Sequence, residues 1–129
     1  MRYFAVGAFA LLAATSQAVA HHPFDAEFDA NMPVTITGQV TRVDWAMPHV
    51  VIHIDSTEAG ATKALSLEAG SPSEMLSLGW TMDTLKTGET ISVQGYRSKM
   101  DATVVAARMI GLADGQKLAS HGNDGGPQT

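Results

Sequence analysis

The chain has 129 residues, no cysteine, and thirteen acidic against eight basic side chains, giving a formal charge of −5 with histidine neutral. Without cysteine, disulfides, thiol catalysis and thiolate metal sites are excluded. The acidic balance argues against nucleic acid as a partner, because phosphate contacts need clustered Lys and Arg.

The first element in the chain is a leader. Arg2 precedes the apolar run 4–14 (FAVGAFALLAA), and Thr15-Ser16-Gln17 leads into Ala18 and Ala20 at the −3 and −1 positions of a cleavage site. That order predicts a signal peptide over residues 1–20, hence export to the periplasm or beyond. The run is too short for an ordinary membrane-spanning helix, which needs ~20 residues, and no later stretch is apolar enough to span. Cleavage after Ala20 leaves 109 residues, the size of one domain, with seven basic and thirteen acidic side chains.

Residues 23–33 (PFDAEFDANMP) alternate Phe24, Ala26, Phe28 and Ala30, although Phe24 and Phe28 also fit one helical stripe. The longer match is extended. If the chain then turns near Asn31 to Pro33, this segment lies antiparallel to the next strand. Phe28 would sit opposite Ile36 and Phe24 opposite Val40. Asp25, Glu27 and Asp29 would share a solvated face. Residues 21–33 are thus expected to pack on the domain that follows.

From Val34 to Trp45 apolar residues fall at 34, 36 and 40, then slip by one to Val43 and Trp45, which predicts a long strand bent by a bulge and eased by Gly38. Residues 49–55 and 62–68 alternate as further strands. Ser71, Pro72 and Glu74 form the start signals of a short helix, a capping box with proline in the first turn, and Gly79 stops it. Residues 89–96 and 102–112 supply two more strands, and Asp114-Gly115 is a turn that can add a short final hairpin. Five strands with one helix between the third and fourth is the order of the OB-fold, so the expectation is a mostly β protein, with a small OB-like barrel over residues 34–119. The terminal SHGNDGGPQT is of low complexity, and residues 120–129 are expected as a disordered tail. Such a fold hosts many activities and assigns none.

Four motifs carry a resemblance. They are His21-His22-Pro23-Phe24, Trp45-Ala46-Met47-Pro48-His49, Gly70-Ser71-Pro72, and Gly79-Trp80 continuing through Leu85, Gly88 and Glu89. In combination they resemble a family of short secreted bacterial proteins known only as a domain of unknown function. Its members start the mature chain with His-His-Ser-Phe and carry Trp-x-Asn-Pro-His. This chain departs at Pro23, Met47 and Glu89, where Ser, Asn and Asp are usual. The resemblance implies export and one compact β domain, and no established activity or cofactor.

The histidines supply the testable chemistry. If His21 is the first mature residue, its α-amine and imidazole close a chelate ring on a metal. One more imidazole, from His22 or His49, completes three nitrogens in a T shape that resembles the histidine brace of certain copper proteins. Nitrogen donors in a tetragonal plane favour Cu(II) or Ni(II). His49, in the loop after Pro48, is the better partner. His53 lies four residues along a strand from it, ~13 Å away and too far to share an ion. His53 is expected as an exposed strand residue and His121 as a tail residue. Solvated histidines at a frayed terminus are the plainer alternative. Met32, Met47, Met82 and Met100 fall in turns without a close-spaced cluster, so flexible packing is the better reading for them. Trp45 and Trp80 either line a groove or cap the core. Their large area favours the core, with Trp45 the more exposed.

No nucleophile elbow, zinc-protease, P-loop or dinucleotide motif is present, and no spacing forces two carboxylates together. The sequence therefore favours a binding module over an enzyme and leaves two readings. One is copper binding through His21, His22 and His49. The other is a metal-free envelope accessory protein that holds a protein or small ligand on the barrel face and at Trp45, Met47 and Pro48.

Overall fold

The period-two pattern of the middle of the chain becomes strands in the computed structural model, which describes residues 23–128. The leader, His21 and His22 lie outside the described residues. The elements are α1 (Phe24–Glu27), β1 (Phe28–Asp44), β2 (Val51–Glu58), β3 (Ala61–Glu68), α2 (Pro72–Ser77), β4 (Thr90–Ser98), β5 (Val104–Gly111) and β6 (Lys117–Ala119).

β1 is long enough to serve two partners. Its first half pairs antiparallel with β4, through Thr35↔Gln94 and Ile36↔Val93, and its second half pairs with β2, through Val40↔Ile54 and Val43↔Ile52. The register slips between Val40 and Arg42, the step at which the apolar phase changes in the sequence. Gly38 is required nearby, since a Cβ there would come 2.8 Å from the Asp55 carbonyl oxygen. β2 pairs antiparallel with β3, β4 with β5, and β3 meets β5 in parallel through Ser66↔Val104 to Glu68↔Ala106. These pairings close a ring of five strands, β1-β2-β3-β5-β4. β6 extends it from β5 after the turn at Asp114-Gly115, where Gly115 has φ +90°.

Inside the ring the alternating apolar residues meet. Ile52, Ile54, Leu65, Leu67, Val93, Val105 and Ile110 are buried together with Met75 of α2 and Trp80, and removal of their apolar area from water drives the closure. Trp80 keeps its polar edge satisfied by donating from Nε1 to the Ala119 carbonyl at 2.8 Å. α2 carries the predicted start. Ser71 Oγ accepts from Glu74 N–H, the Glu74 carboxylate accepts from Ser71 N–H, and Gly79 follows the helix at φ +94°. No helix among the described residues is long and apolar enough to cross a membrane.

One expectation is corrected. Residues 23–33 do not fold back on the next strand. Phe24–Glu27 form one helical turn, and at Phe28 the chain enters β1, whose register with β4 is irregular between Phe28 and Pro33. Phe28 pairs with Ser98 and Pro33 with Tyr96, both on β4, so Ile36 and Val40 face other strands. Alternation marks a strand but not its partner, and the helical spacing of the two phenylalanines was the better signal. Their rings stack at 5.5 Å, and Tyr96 meets Phe24 edge-on at 5.5 Å. Asp25 and Glu27 therefore belong to the helical turn and share no strand face with Asp29. Residues 120–128 lie against the ring. Gly70 N–H donates to the Ser120 carbonyl, Asn123 N–H to Glu74 Oε1, and Phe24 N–H to the Asp124 carbonyl. The reason lies in β5, where Arg108 is only 2% exposed and requires the Asp124 carboxylate.

Gly95 tests the tightness of the β4–β5 contact, because a Cβ on it would run into the Ala106 carbonyl. Gly95→Ala is expected to lower unfolding free energy by about 1–3 kcal/mol, the usual cost of overpacking. Urea denaturation followed by tryptophan fluorescence measures it, and an unchanged midpoint would refute the packing described.

Candidate functional site

The β2–β3 ladder continues past the strand ends and sets His49 in place. Val50 N–H donates to the Gly70 carbonyl at 2.8 Å and Ala69 N–H to the Val50 carbonyl at 2.9 Å, so the chain leading into Val50 is held at the end of β3. His49 Nδ1 lies 3.1 Å from the Ala69 carbonyl oxygen. A carbonyl only accepts, so Nδ1 carries the hydrogen and Nε2 is the basic nitrogen of the neutral ring. Nε2 is 3.3 Å from Glu68 Oε1. An imidazole anchored by N–H to a backbone carbonyl is the orientation that metal-binding histidines commonly use. Burial pushes the Glu68 carboxyl above the usual carboxylate range, His49 opposes that shift, and Glu27 and Asp124 add to it.

These groups face a cavity of ≈ 650 Å³. Its walls come from six parts of the chain. They are Pro23, Phe24 and Glu27 at the start, Met47 to His49 between β1 and β2, Glu68 at the end of β3, Ser71 and Glu74 at α2, Arg108 on β5, and His121 to Asp124 in the tail. Met47, after which the peptide to Pro48 is cis, is 70% exposed at the rim. Of the residues expected to form a site, Met47, Pro48 and His49 line the cavity. Trp45 does not, and packs half-buried against the main core. His21 and His22 fall outside the described residues, although Pro23, bonded to His22, lines the cavity.

His53 stands apart. Its Nε2 is 2.9 Å from Asp44 Oδ2 and its Nδ1 3.3 Å from Ser66 Oγ, so it links three neighbouring strands on the outer surface. It is half-buried where an exposed residue was expected. His121, expected as a tail residue, is half-buried with Nδ1 3.4 Å from the Gly122 carbonyl. Among the described residues, no group of three or more His, Asp or Glu side chains is arranged to hold a metal ion.

Arg108, Asp124, Glu68, Glu74 and His121 escaped sequence reasoning as site residues. One signal was available. VVAARMIG places an arginine inside an apolar strand, and a buried guanidinium demands a carboxylate from elsewhere. Asp124 answers it, both carboxylate oxygens accepting from Nη2 at 3.0–3.1 Å, while the Phe24 ring covers the guanidinium at 4.8 Å.

The described residues thus form a small ring of five strands with an acidic, histidine-bearing cavity at its side. The chain belongs to the Family of unknown function (DUF6152), whose model matches residues 9–106. No curated protein matches it.

Glu74 fastens the helix to the tail, and its charge matters. Amide donors from Asn123 and Ser71 hold its carboxyl below the ordinary carboxylate range. A lowered folded value contributes stability above the unfolded value of ~4.3, and that stability is lost as pH falls through the folded value. Glu74→Gln is expected to cost about 1 kcal/mol at neutral pH, the size of a lost helix cap. The gap to wild type should close in acid, as thermal melts between pH 7 and pH 3 would show. A gap that widened in acid would contradict this role.

Proposed function

We propose that this protein is an exported binding module, an OB-like barrel in its finer classification, that takes up Cu(II) at its mature amino terminus. The observation that carries this reading is that Pro23 and His49 line one cavity. Cleavage after Ala20 makes His21 the first residue, and two residues of chain span at most ~7 Å. The α-amine and imidazole of His21 are thus within reach of the cavity and supply a chelate pair. His49 Nε2 supplies a further nitrogen, and His22 is the alternative imidazole. Nitrogen donors of this kind suit Cu(II). The described residues alone form no group of three acidic or histidine ligands, so the reading needs the terminal nitrogens. The five-strand ring with α2 between β3 and β4 supports the OB-like classification.

A metal-free reading is favoured by a different observation. The cavity is far larger than an ion requires, its wall includes the phenylalanine rings of α1 and β1, and Met47 projects at its rim. In that reading it holds a small ligand or an envelope protein segment.

Titration of mature protein with Cu(II) separates the two. The expected result is one tight site, weakened more than ~10-fold by His49→Ala, as removal of a directly ligating nitrogen should exceed the effect of losing an outer partner. An extra alanine before His21 should abolish it. Affinity should fall as pH drops through ~8 and ~6.5, where amine and imidazole gain protons. Equal affinity for the alanine-extended form would remove the copper reading. Chelator-insensitive capture of an envelope component that depends on Met47 and Pro48 would support the metal-free one.

A further inference from the structure

We propose that Ser66 is an activated nucleophile, a serine whose hydroxyl His53 prepares to accept an acyl group from an ester. The site follows from strand register. Arg42 pairs with His53 and His53 with Ser66, which draws one row across β1, β2 and β3. Ile52, Ile54, Leu65 and Leu67 turn into the core, so alternation sets His53 and Ser66 on the outer face. Asp44, two residues beyond Arg42, shares that face. None of these four residues lines the cavity, so the site is independent of whatever the cavity holds.

Hydrogen positions around the imidazole are fixed by its neighbours. His53 Nε2 lies 2.9 Å from Asp44 Oδ2, and a carboxylate only accepts, so Nε2 carries the hydrogen. Asp44 stays charged because Arg42 donates to both of its oxygens, from Nε at 2.9 Å and Nη2 at 3.2 Å. Arg42 Nη2 is also 3.1 Å from Nε2, and both donors converge on Oδ2. Arg42 first, then His53, hold the Asp44 carboxyl below the ordinary carboxylate range. In the neutral ring Nδ1 therefore keeps its lone pair, and the Ser66 hydroxyl donates to it across 3.3 Å. This is the division of roles of a serine–histidine–aspartate triad with the two ring nitrogens exchanged. Asp44 is the positioning residue, His53 the base and Ser66 the nucleophile.

In the reaction, Ser66 Oγ forms a bond to the acyl carbon, and the bond from that carbon to the ester's leaving oxygen breaks. The hydroxyl proton passes to Nδ1 and from there to the leaving alkoxide, so atoms and charge balance and nothing is oxidised. Ser66 is half-buried on the outer face, and its strand neighbour on that face is the small, exposed Ala64, which leaves room for approach. A positioned base contributes about 10²–10⁴-fold. The Ser66 amide is already spent on the Thr103 carbonyl, so it adds nothing to stabilise a developing oxyanion. Ser66 is accordingly a slow acyl acceptor, a modification site and not an efficient esterase.

The test incubates the protein with p-nitrophenyl acetate and a chelator, and quantifies acetylated peptides by mass spectrometry. Acetylation of Ser66 is expected at least ~10²-fold faster than that of Ser92, an exposed serine of β4. Folded His53→Gln should lose that advantage, and Asp44→Asn should lower the rate by at least ~10-fold. A nitrogen-15 spectrum of the imidazoles gives a second measurement. His53 should show the Nε2–H tautomer in the wild-type protein, and Asp44→Asn should shift it toward Nδ1–H, which a loss of packing alone does not do. Equal labelling of Ser66 and Ser92, or an unchanged rate in folded His53→Gln, would overturn the proposal. So would an Nδ1–H tautomer of His53 in the wild-type protein, which decides the matter if the variants fail to fold.

Discussion

A guanidinium in the middle of an apolar strand, 2% exposed, dictates much of what surrounds it. Arg108 sits on β5, and a buried charge left unpaired costs several kcal/mol. Its carboxylate arrives from sixteen residues further on, so the chain must leave β6 and come back across the ring. That return lays Ser120 against Gly70, Asn123 against Glu74 and Asp124 against Phe24. One electrostatic requirement thereby orders the tail, covers the aromatic cluster of Phe24, Phe28 and Tyr96, and builds the wall of the cavity opposite His49.

The ring was legible in the sequence because its physics is local. Alternation gave the strands, the slip from Val40 to Val43 located the irregularity that pairs as Val40 and Arg42, and Ser71-Pro72-Ser73-Glu74 announced a helix start that forms as a full capping box. The turn at Asp114-Gly115 was equally local. What sequence did not reveal depended on partners far along the chain. Phe24 to Pro33 alternates, yet its companion is β4 and not the next strand, because β1 starts at Phe28 and, with an irregularity before Pro33, carries the segment past Tyr96 and Ser98. Glycine supplies three of the tail's ten residues, a composition that reads as disorder. Composition does not weigh a single aspartate that a buried arginine requires.

The histidines illustrate the same division. Strand spacing separated His49 from His53, and the two do belong to different surroundings, His49 on the cavity and His53 bridging Asp44 and Ser66. The anchoring of His49 through Nδ1 to the Ala69 carbonyl could not be read from spacing. It follows from how the β2–β3 ladder runs on beyond Glu68. His121 was set aside with the tail and reaches the cavity because the tail does.

The charges around the cavity argue for the kind of occupant it favours. Asp124 is neutralised by Arg108 and Glu74 is satisfied by backbone amides, which leaves Glu27, with no ion pair among the described residues, and Glu68, whose neighbour is the His49 imidazole. Burial raises the Glu68 carboxyl, and His49 offsets this only in part. A positive occupant relieves that cost and an anion adds to it. A terminal ammonium and a metal ion are both positive, but they differ in their protons. An ammonium must keep its protons to be held by carboxylates, whereas a metal takes the nitrogen lone pairs and expels them. With His49 neutral, Glu68 beside Nε2 offers both an anionic oxygen and a lone pair on one side of the cavity, whereas a protonated His49 forms an ion pair with it. In the copper reading proposed above both would be ligands, so acidification would weaken a metal's hold while leaving an ammonium's charge intact.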